Sequence, residues 1–220
     1  MSGSPGEAPL IAVVDYGMGN RRSVEKALEH VGARALVSSD PERMREASGL
    51  VVPGVGAFPR AMERLRSLGL DELLRERVAA GTPVLGICLG MQLAFDGSSE
   101  LGGALGLGIV PGQVLALEPG ELKLPHIGWT EISFADRGSR LADELPARCA
   151  FYHVHSFAPV PESPRDVLAT AEYGAPFVSA VERGSFYGVQ FHPEKSSTAG
   201  LRLLANFSRI CASAQPALAR

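Results

Sequence analysis

A chain of 220 residues is long enough to bury one sizeable core. Its hydrophobic (45%) and charged (20%) fractions are those of an ordinary globular protein. The 21 basic and 24 acidic side chains leave a net charge of −3, which argues against a nucleic-acid binder that draws its affinity from phosphates.

The first stretch, MSGSPGEAPL, has neither a basic nor an apolar segment of the secretory kind, and residues 1–9 are expected to form a mobile tail. Leu10 to Asp15 reads as a buried strand. Gly17 to Asn20 turns the chain, Asn20 is placed to cap a helix carrying Val24, Ala27, Leu28 and Val31, and Gly32 stops it. A strand over Ala33–Val37, a short helix opened by Asp40-Pro41, and a strand over Leu50–Val52 follow. Helices are predicted over Pro59–Ser67 and Asp71–Ala80, a strand over Pro83–Ile87, and a helix from Met91 to Phe95. This alternation predicts a flavodoxin-like α/β fold, a mostly parallel sheet with helices on both faces.

Beyond it, Gly97–Gly108 reads as a flexible loop, since its glycines lack the spacing and the strand–helix setting of a nucleotide-binding turn. Strands are predicted over Val114–Leu117, Thr130–Phe134, Ala150–His155, Val167–Ala171, Phe177–Val181 and Phe186–Phe191, an antiparallel portion with a hairpin turn at Glu182–Ser185. A helix from about Thr198 to Cys211 is expected to bury Leu201, Leu204, Ala205 and Ser208, and residues 214–220 to fray. Residues 10–213 thus read as a single domain. No apolar run approaches the roughly 18–20 residues that span a bilayer.

The cysteines are Cys88, Cys149 and Cys211. An odd number, widely spaced and without a CxxC pair, argues against zinc and disulfides and for a reducing cytoplasm. Only Cys88 has a distinctive frame. Gly86-Ile87-Cys88-Leu89-Gly90 lies between a strand and a helix, the setting of a nucleophile elbow. The turn is too tight for a Cβ at its flanks, and a helix N-terminus nearby favours thiolate. A sulfur nucleophile needs a base, and the base an orienting acceptor. His192, at the end of an apolar strand, is the best candidate base. Glu194, two residues on along an extended segment, is placed to hold its tautomer. The Pro53-Gly54-Val55-Gly56 turn lies at the carboxyl end of a strand, where such folds bind ligands. Its Val55 amide and that of Leu89 are candidate oxyanion donors. His126 and His153 read as satisfied or surface histidines, His30 as a partner of its helix C-terminus. Trp129 reads equally as core or interface.

These pieces, in this order, resemble the class I, or triad, glutamine amidotransferases. "DYGMGN", "VPGVGAF", "GICLGMQL", "PHIGWTEI", "FYHVHSF" and "GVQFHPEKSS" together resemble the glutaminase subunits of imidazole glycerol phosphate synthases, over about residues 10 to 213. The resemblance implies Cys88 as nucleophile, His192 as general base and acid, and Glu194 as orienter. It matches Gln92 to a position that holds the substrate glutamine and Glu100 to one that contacts its α-amino group. His155, Ser156 and Phe157 match a segment whose main chain holds the α-carboxylate, and Gly54 and Gly56 belong to the oxyanion strand. Asn20, Trp129, Tyr152 and Lys195 match positions near a partner interface. Thr130 departs from the usual Asn after the Trp, which touches coupling to the partner more than the chemistry.

The activity so implied is hydrolysis of glutamine to glutamate and ammonia through a cysteine thioester. The implied partner is the cyclase of the synthase, a (β/α)8 barrel, joined as a heterodimer. It uses the ammonia to make imidazole glycerol phosphate and AICAR in histidine biosynthesis. Neither a metal nor an organic cofactor, nucleic acid or membrane is implied. Two other readings stay open. One is a triad glutaminase serving another synthase, such as that for anthranilate or pyridoxal phosphate. The other is a non-catalytic binding module on the same fold.

Overall fold

In the computed structural model, which describes residues 8–135 and 138–214, strand β1 (Leu10–Val14) sets the pattern of the sheet. Ile11 and Val13 enter one apolar core, Ala12 and Val14 another on the opposite face. A strand buried on both sides must be apolar throughout, because successive side chains point opposite ways. β3 (Gly49–Gly54) and β4 (Val84–Cys88) divide their side chains the same way.

The sheet has nine strands, in the order β2 (Arg34–Ser38), β1, β3, β4, β13 (Phe186–Val189), β12 (Ala175–Arg183), β11 (Val167–Tyr173), β8 (His126–Phe134) and β9 (Arg148–His155). The pairs from β2 to β13 are parallel and those from β13 to β9 antiparallel. The first four strands in this order come from the alternating half of the sequence; β13, from the half that runs strand after strand, returns to lie parallel beside β4 and begins the antiparallel part. The α/β expectation therefore holds, with its antiparallel extension.

α1 (Arg21–His30) and α6 (Ser197–Ser213) cover one face through Val24, Leu28, Leu203, Leu204, Phe207 and Ile210. α3 (Phe58–Ser67) and α4 (Leu70–Ala79) cover the other through Phe58, Met62, Leu65 and Leu73. α2 (Pro41–Arg45) begins as expected, with the Asp40 side chain accepting from the Glu42 N–H at 3.0 Å. Among the described residues, no helix is long and apolar enough to cross a membrane.

Several expectations need correction. Asn20 stands at the start of α1, but its side chain makes no capping bond. The helix expected over 91–95 is a single turn, α5 (Leu89–Gln92). It stops because the Leu93 and Ala94 carbonyls are taken by the N–H groups of Leu107, Ile109 and Val110, which draws the chain into a strand. That strand, β5 (Phe95–Ser98), joins β6 (Ala104–Leu105), β7 (Val110–Ala116) and β10 (Phe157–Pro161) in a second, four-stranded sheet. Part of the predicted loop is thus ordered pairing, and β10 was not anticipated. α6 buries Leu203, Phe207 and Ile210, whereas the expected Leu201 and Ala205 are only half-buried. Of the expected tails, only Ala8, Pro9 and Ala214 fall within the described residues.

Candidate active site

β3 and β4 end together, with Gly54 opposite Cys88 in register. Cys88 takes φ +55°, ψ −114°, where L side chains rarely sit. Such a residue costs about 1–3 kcal/mol and persists only where its surroundings enforce it. The enforcing contacts are backbone on backbone. A Cβ on Gly86 would come within 2.6 Å of the Gly90 carbonyl oxygen, and one on Gly90 would overlap the Val52 carbonyl oxygen. A Cβ on Gly54 would stand 2.7 Å from the Gly90 nitrogen. The glycine frame is therefore a packing requirement of the elbow. The help expected from a helix N-terminus is small, because α5 is one turn long and few peptide dipoles align behind the sulfur.

The imidazole takes that part. His192 Nδ1 lies 3.0 Å from Glu194 Oε1, and both side chains are almost wholly buried. Burial opposes the imidazolium, yet the hydrogen bonds to Cys88 and Glu194 and their charges raise its pKa to about 9. Glu194 reaches the ring from a 3-10 turn, Pro193–Lys195, not from an extended strand. Three further bonds fix the histidine. Its N–H donates to the Tyr152 carbonyl at 2.9 Å. Ser196 Oγ donates to the His192 carbonyl at 2.7 Å and accepts from the Tyr152 N–H at 3.0 Å.

Cys88 and His192 open onto a pocket of about 400 Å³, also lined by Val55, Gly56, Leu89, Gln92, Glu100, His155, Ser156, Phe157 and Lys195. Gly54 stands directly behind, against Gly90. Glu100 is partly committed, since its Oε2 accepts from the Phe58 N–H at 2.8 Å and supplies the cap α3 lacks. A groove of about 460 Å³ between Leu117, Pro159 and Phe177 is more apolar and has no cysteine, serine or histidine on its walls. Among the described residues, no group of three or more His, Cys, Asp or Glu is placed to hold a metal.

The polar floor of the pocket is oriented by one backbone carbonyl. Phe157 O accepts from Gln92 Nε2 and His155 Nδ1, each at 2.9 Å. A carbonyl only accepts, so both nitrogens carry hydrogen there. Burial and neighbouring imidazoles lower the His155 pKa to about 4, and the ring is neutral with Nε2 left to accept. His126 Nδ1 donates to it at 3.1 Å, and Thr130 Oγ1 donates to His126 Nε2 at 2.8 Å. Thr130, the departure from the family pattern, thus has a partner of its own in this chain. His126 and His153 are satisfied buried histidines, His153 between the Phe151 carbonyl and Ser179 Oγ.

Trp129 is 55% exposed, which decides it against the core. Its ring meets that of Tyr152 edge-on, 6.2 Å between centroids, and Lys195 Nζ lies 6.0 Å from the Tyr152 ring. Asn20 opens α1, which packs beside the Pro193–Lys195 turn. Two site residues escaped the sequence reading. Tyr16, wholly buried, donates its hydroxyl to the Pro53 carbonyl at 2.8 Å and so holds the turn bearing Val55. Gln190, also wholly buried, meets the Cys88 sulfur. Its position two residues before His192, at the end of the same apolar run, was the available signal.

The family model Glutamine amidotransferase class-I matches residues 12–211. The chain is 47% identical to the imidazole glycerol phosphate synthase subunit HisH of Methylococcus capsulatus, covering 90% of this chain and 95% of that protein. It is 50% identical to subunit HisH 1 of Pseudomonas aeruginosa, covering 90% and 95%. Among solved structures, PurLQS from Thermotoga maritima superposes with a TM-score of 0.72 at 16% identity, covering 92% of this chain and 99% of that one. The glutaminase domain of Trypanosoma brucei CTPS superposes with a TM-score of 0.63 at 19% identity, covering 93% of each chain. These two likenesses speak to the fold alone. With its family match and its close relatives both spanning the elbow, the histidine and the glutamate, the chain belongs to the class I glutamine amidotransferases and, within them, to the HisH subunits of imidazole glycerol phosphate synthase.

Proposed function

We propose that this chain hydrolyses glutamine and delivers the ammonia to a cyclase subunit, with residues 10–213 acting as one amidotransferase domain. The observation that carries the reading is the buried Glu194–His192–Cys88 array at a strained strand end. The Cys88 thiolate attacks the side-chain amide carbon of glutamine. The oxygen takes up negative charge, and the Val55 and Leu89 amides are the donors to receive it. The His192 imidazolium gives its proton to the amide nitrogen, the C–N bond breaks, and ammonia leaves. His192, now neutral, takes a proton from water. The hydroxide attacks the γ-glutamyl thioester, the C–S bond breaks, and glutamate departs with the thiolate restored.

Gln92 is oriented by Phe157 and meets the substrate through its Oε1, as an acceptor. The Glu100 carboxylate, at the pocket edge, suits the α-amino group, and the main chain of His155, Ser156 and Phe157 the α-carboxylate. All three cysteines are free thiols, which suits a reducing compartment such as the cytoplasm.

Ammonia would be protonated and lost in bulk water, so it must pass directly to the partner. A barrel-shaped cyclase forming a heterodimer through the face around Trp129, Tyr152, Lys195 and Asn20 fits that need, with Lys195 joining face and pocket. The test is a glutaminase assay of the chain alone, with the cyclase, and with the cyclase and its ligand. Cys88→Ala should lose activity in all three by about 10³-fold or more. Normal turnover by that variant would sink the mechanism.

A further inference from the structure

Cys88 Sγ has a neighbour that the triad chemistry leaves unused. Gln190 Nε2 lies 3.7 Å from the sulfur, within hydrogen-bonding range of so large an atom. Gln190 is wholly buried, one of the two residues between β13 and His192, and its own N–H is held by the Ser179 carbonyl at 2.8 Å.

Which end of the amide meets the sulfur is dictated from outside. Phe157 O can only accept, so Gln92 presents its N–H₂ there. The same nitrogen donates to Gln190 Oε1 at 3.0 Å. Turning the Gln190 amide over would set two N–H₂ groups against each other and an oxygen against the sulfur. The first is repulsive between buried groups and the second against a thiolate, so the N–H₂ end faces Cys88.

The other groups around Sγ fall into two kinds. The Val154 carbonyl of β9, 3.7 Å away, takes a hydrogen bond from the thiol but repels the thiolate. His192, from the turn after β13, favours the thiolate. Tyr16, beyond β1, interacts with the sulfur through charge and keeps its own proton, because burial raises its pKa.

We propose that Gln190 is a catalytic residue of this site, a second hydrogen-bond donor that holds the Cys88 sulfur as thiolate and fixes its direction beside His192. The nucleophile then has two donors set at fixed positions on adjoining segments. A hydrogen bond to an anion exceeds one to a neutral group, so Gln190 works on the thiolate more than on the thiol. The inference rests on Cys88 being the nucleophile.

The test is alkylation of the full-length chain by iodoacetamide across pH, followed on the Cys88 peptide by mass spectrometry. Gln190→Met keeps length and burial but removes the donor. Near neutral pH its Cys88 should alkylate roughly tenfold more slowly than wild type, with the pH midpoint moved up by about one unit. Its glutaminase kcat in the complex with the cyclase should fall by a similar factor. A merely structural role would lower the melting temperature and leave the midpoint in place. A folded Gln190→Met protein with the wild-type midpoint overturns the proposal. If that variant does not fold, NMR of wild-type protein decides. The Gln190 side-chain amide resonances should shift with the alkylation midpoint, and resonances that stay fixed overturn the assignment. The underlying reading is checked separately, because alkylated wild-type protein must lose glutaminase activity in the complex. If it keeps that activity, the nucleophile assignment and the Gln190 role fall together.

Discussion

At Cys88 an unfavourable backbone conformation aims a sulfur into the pocket, and His192 beside it carries a pKa of about 9 against an ordinary 6.5. A histidine pKa raised by folding means that the native state binds the proton more tightly than the unfolded chain. Its stabilisation is whole below about pH 6.5 and is lost as pH rises through about 9. Urea unfolding of wild type and His192→Asn from pH 6 to 10 should therefore show a gap that narrows at the alkaline end. A constant gap would show that the imidazolium is not held. Glutaminase kcat in the complex should fall over the same alkaline range, since in the proposed mechanism the imidazolium supplies the proton to the leaving ammonia. The residues of this array were legible because each sits in a short local pattern, a G-x-C-x-G turn or an H-P-E turn. Gln190 lies inside the same quoted stretch and went unread. A glutamine in an apolar strand has no chemistry until something shows which atom faces the sulfur.

The elbow and the histidine cluster belong to the scale of elements. β3, β4 and α5 converge with no space for a side chain at Gly90, where a methyl group would overlap the Val52 carbonyl. Gly90→Ala is expected to cost at least about 1–3 kcal/mol, read from urea midpoints. A neutral result would mean the strand ends can part without loss. The cluster of His126, His153 and His155 lies where β8 and β9 pair, with each ring buried. Burial, reinforced by the neighbouring imidazoles, lowers the pKa of His153 to about 3 and of His155 to about 4. Here the unfolded chain binds more protons than the native one between those values and 6.5, so stability is lost as pH falls through that window. His155→Gln should lose less stability than wild type between pH 6.5 and 4. Equal losses would remove the cluster from the acid response. His153 and His155 come from a segment the sequence marks only as a strand, and His126 lies before the strand expected to begin at Thr130. Their register across the ladder brings the rings together, and register is a property of the pair.

For the whole molecule, the parallel half of the sheet ends in the pocket and the antiparallel half presents the Trp129 face beside it. Trp129 and Ile127, two residues apart on β8, both point outward, at 55% and 59% exposure. An aromatic anchor at the centre of an interface typically contributes about 2 kcal/mol. Trp129→Ala is expected to weaken binding of the cyclase by roughly 30-fold in calorimetric titration, with the melting temperature unchanged because the ring is not in the core. Undiminished affinity would move the interface elsewhere.

By itself the sequence determined what local spacing can carry. Alternating apolar runs and amphipathic stretches required a parallel sheet covered on both faces, and short glycine- and proline-marked turns singled out Cys88, His192 and Glu194, which the fold brings together. The tertiary structure decided what depends on neighbours distant along the chain. Carbonyls captured by residues 107–110 cut α5 to one turn and made a second sheet of what reads as loop. The Phe157 carbonyl set the direction of the Gln92 and Gln190 amides that lead to the sulfur, and of the His155 ring beside them. A hydrogen bond needs both its partners before either has a direction, and the Gln190 and Cys88 that meet at the sulfur lie 102 residues apart.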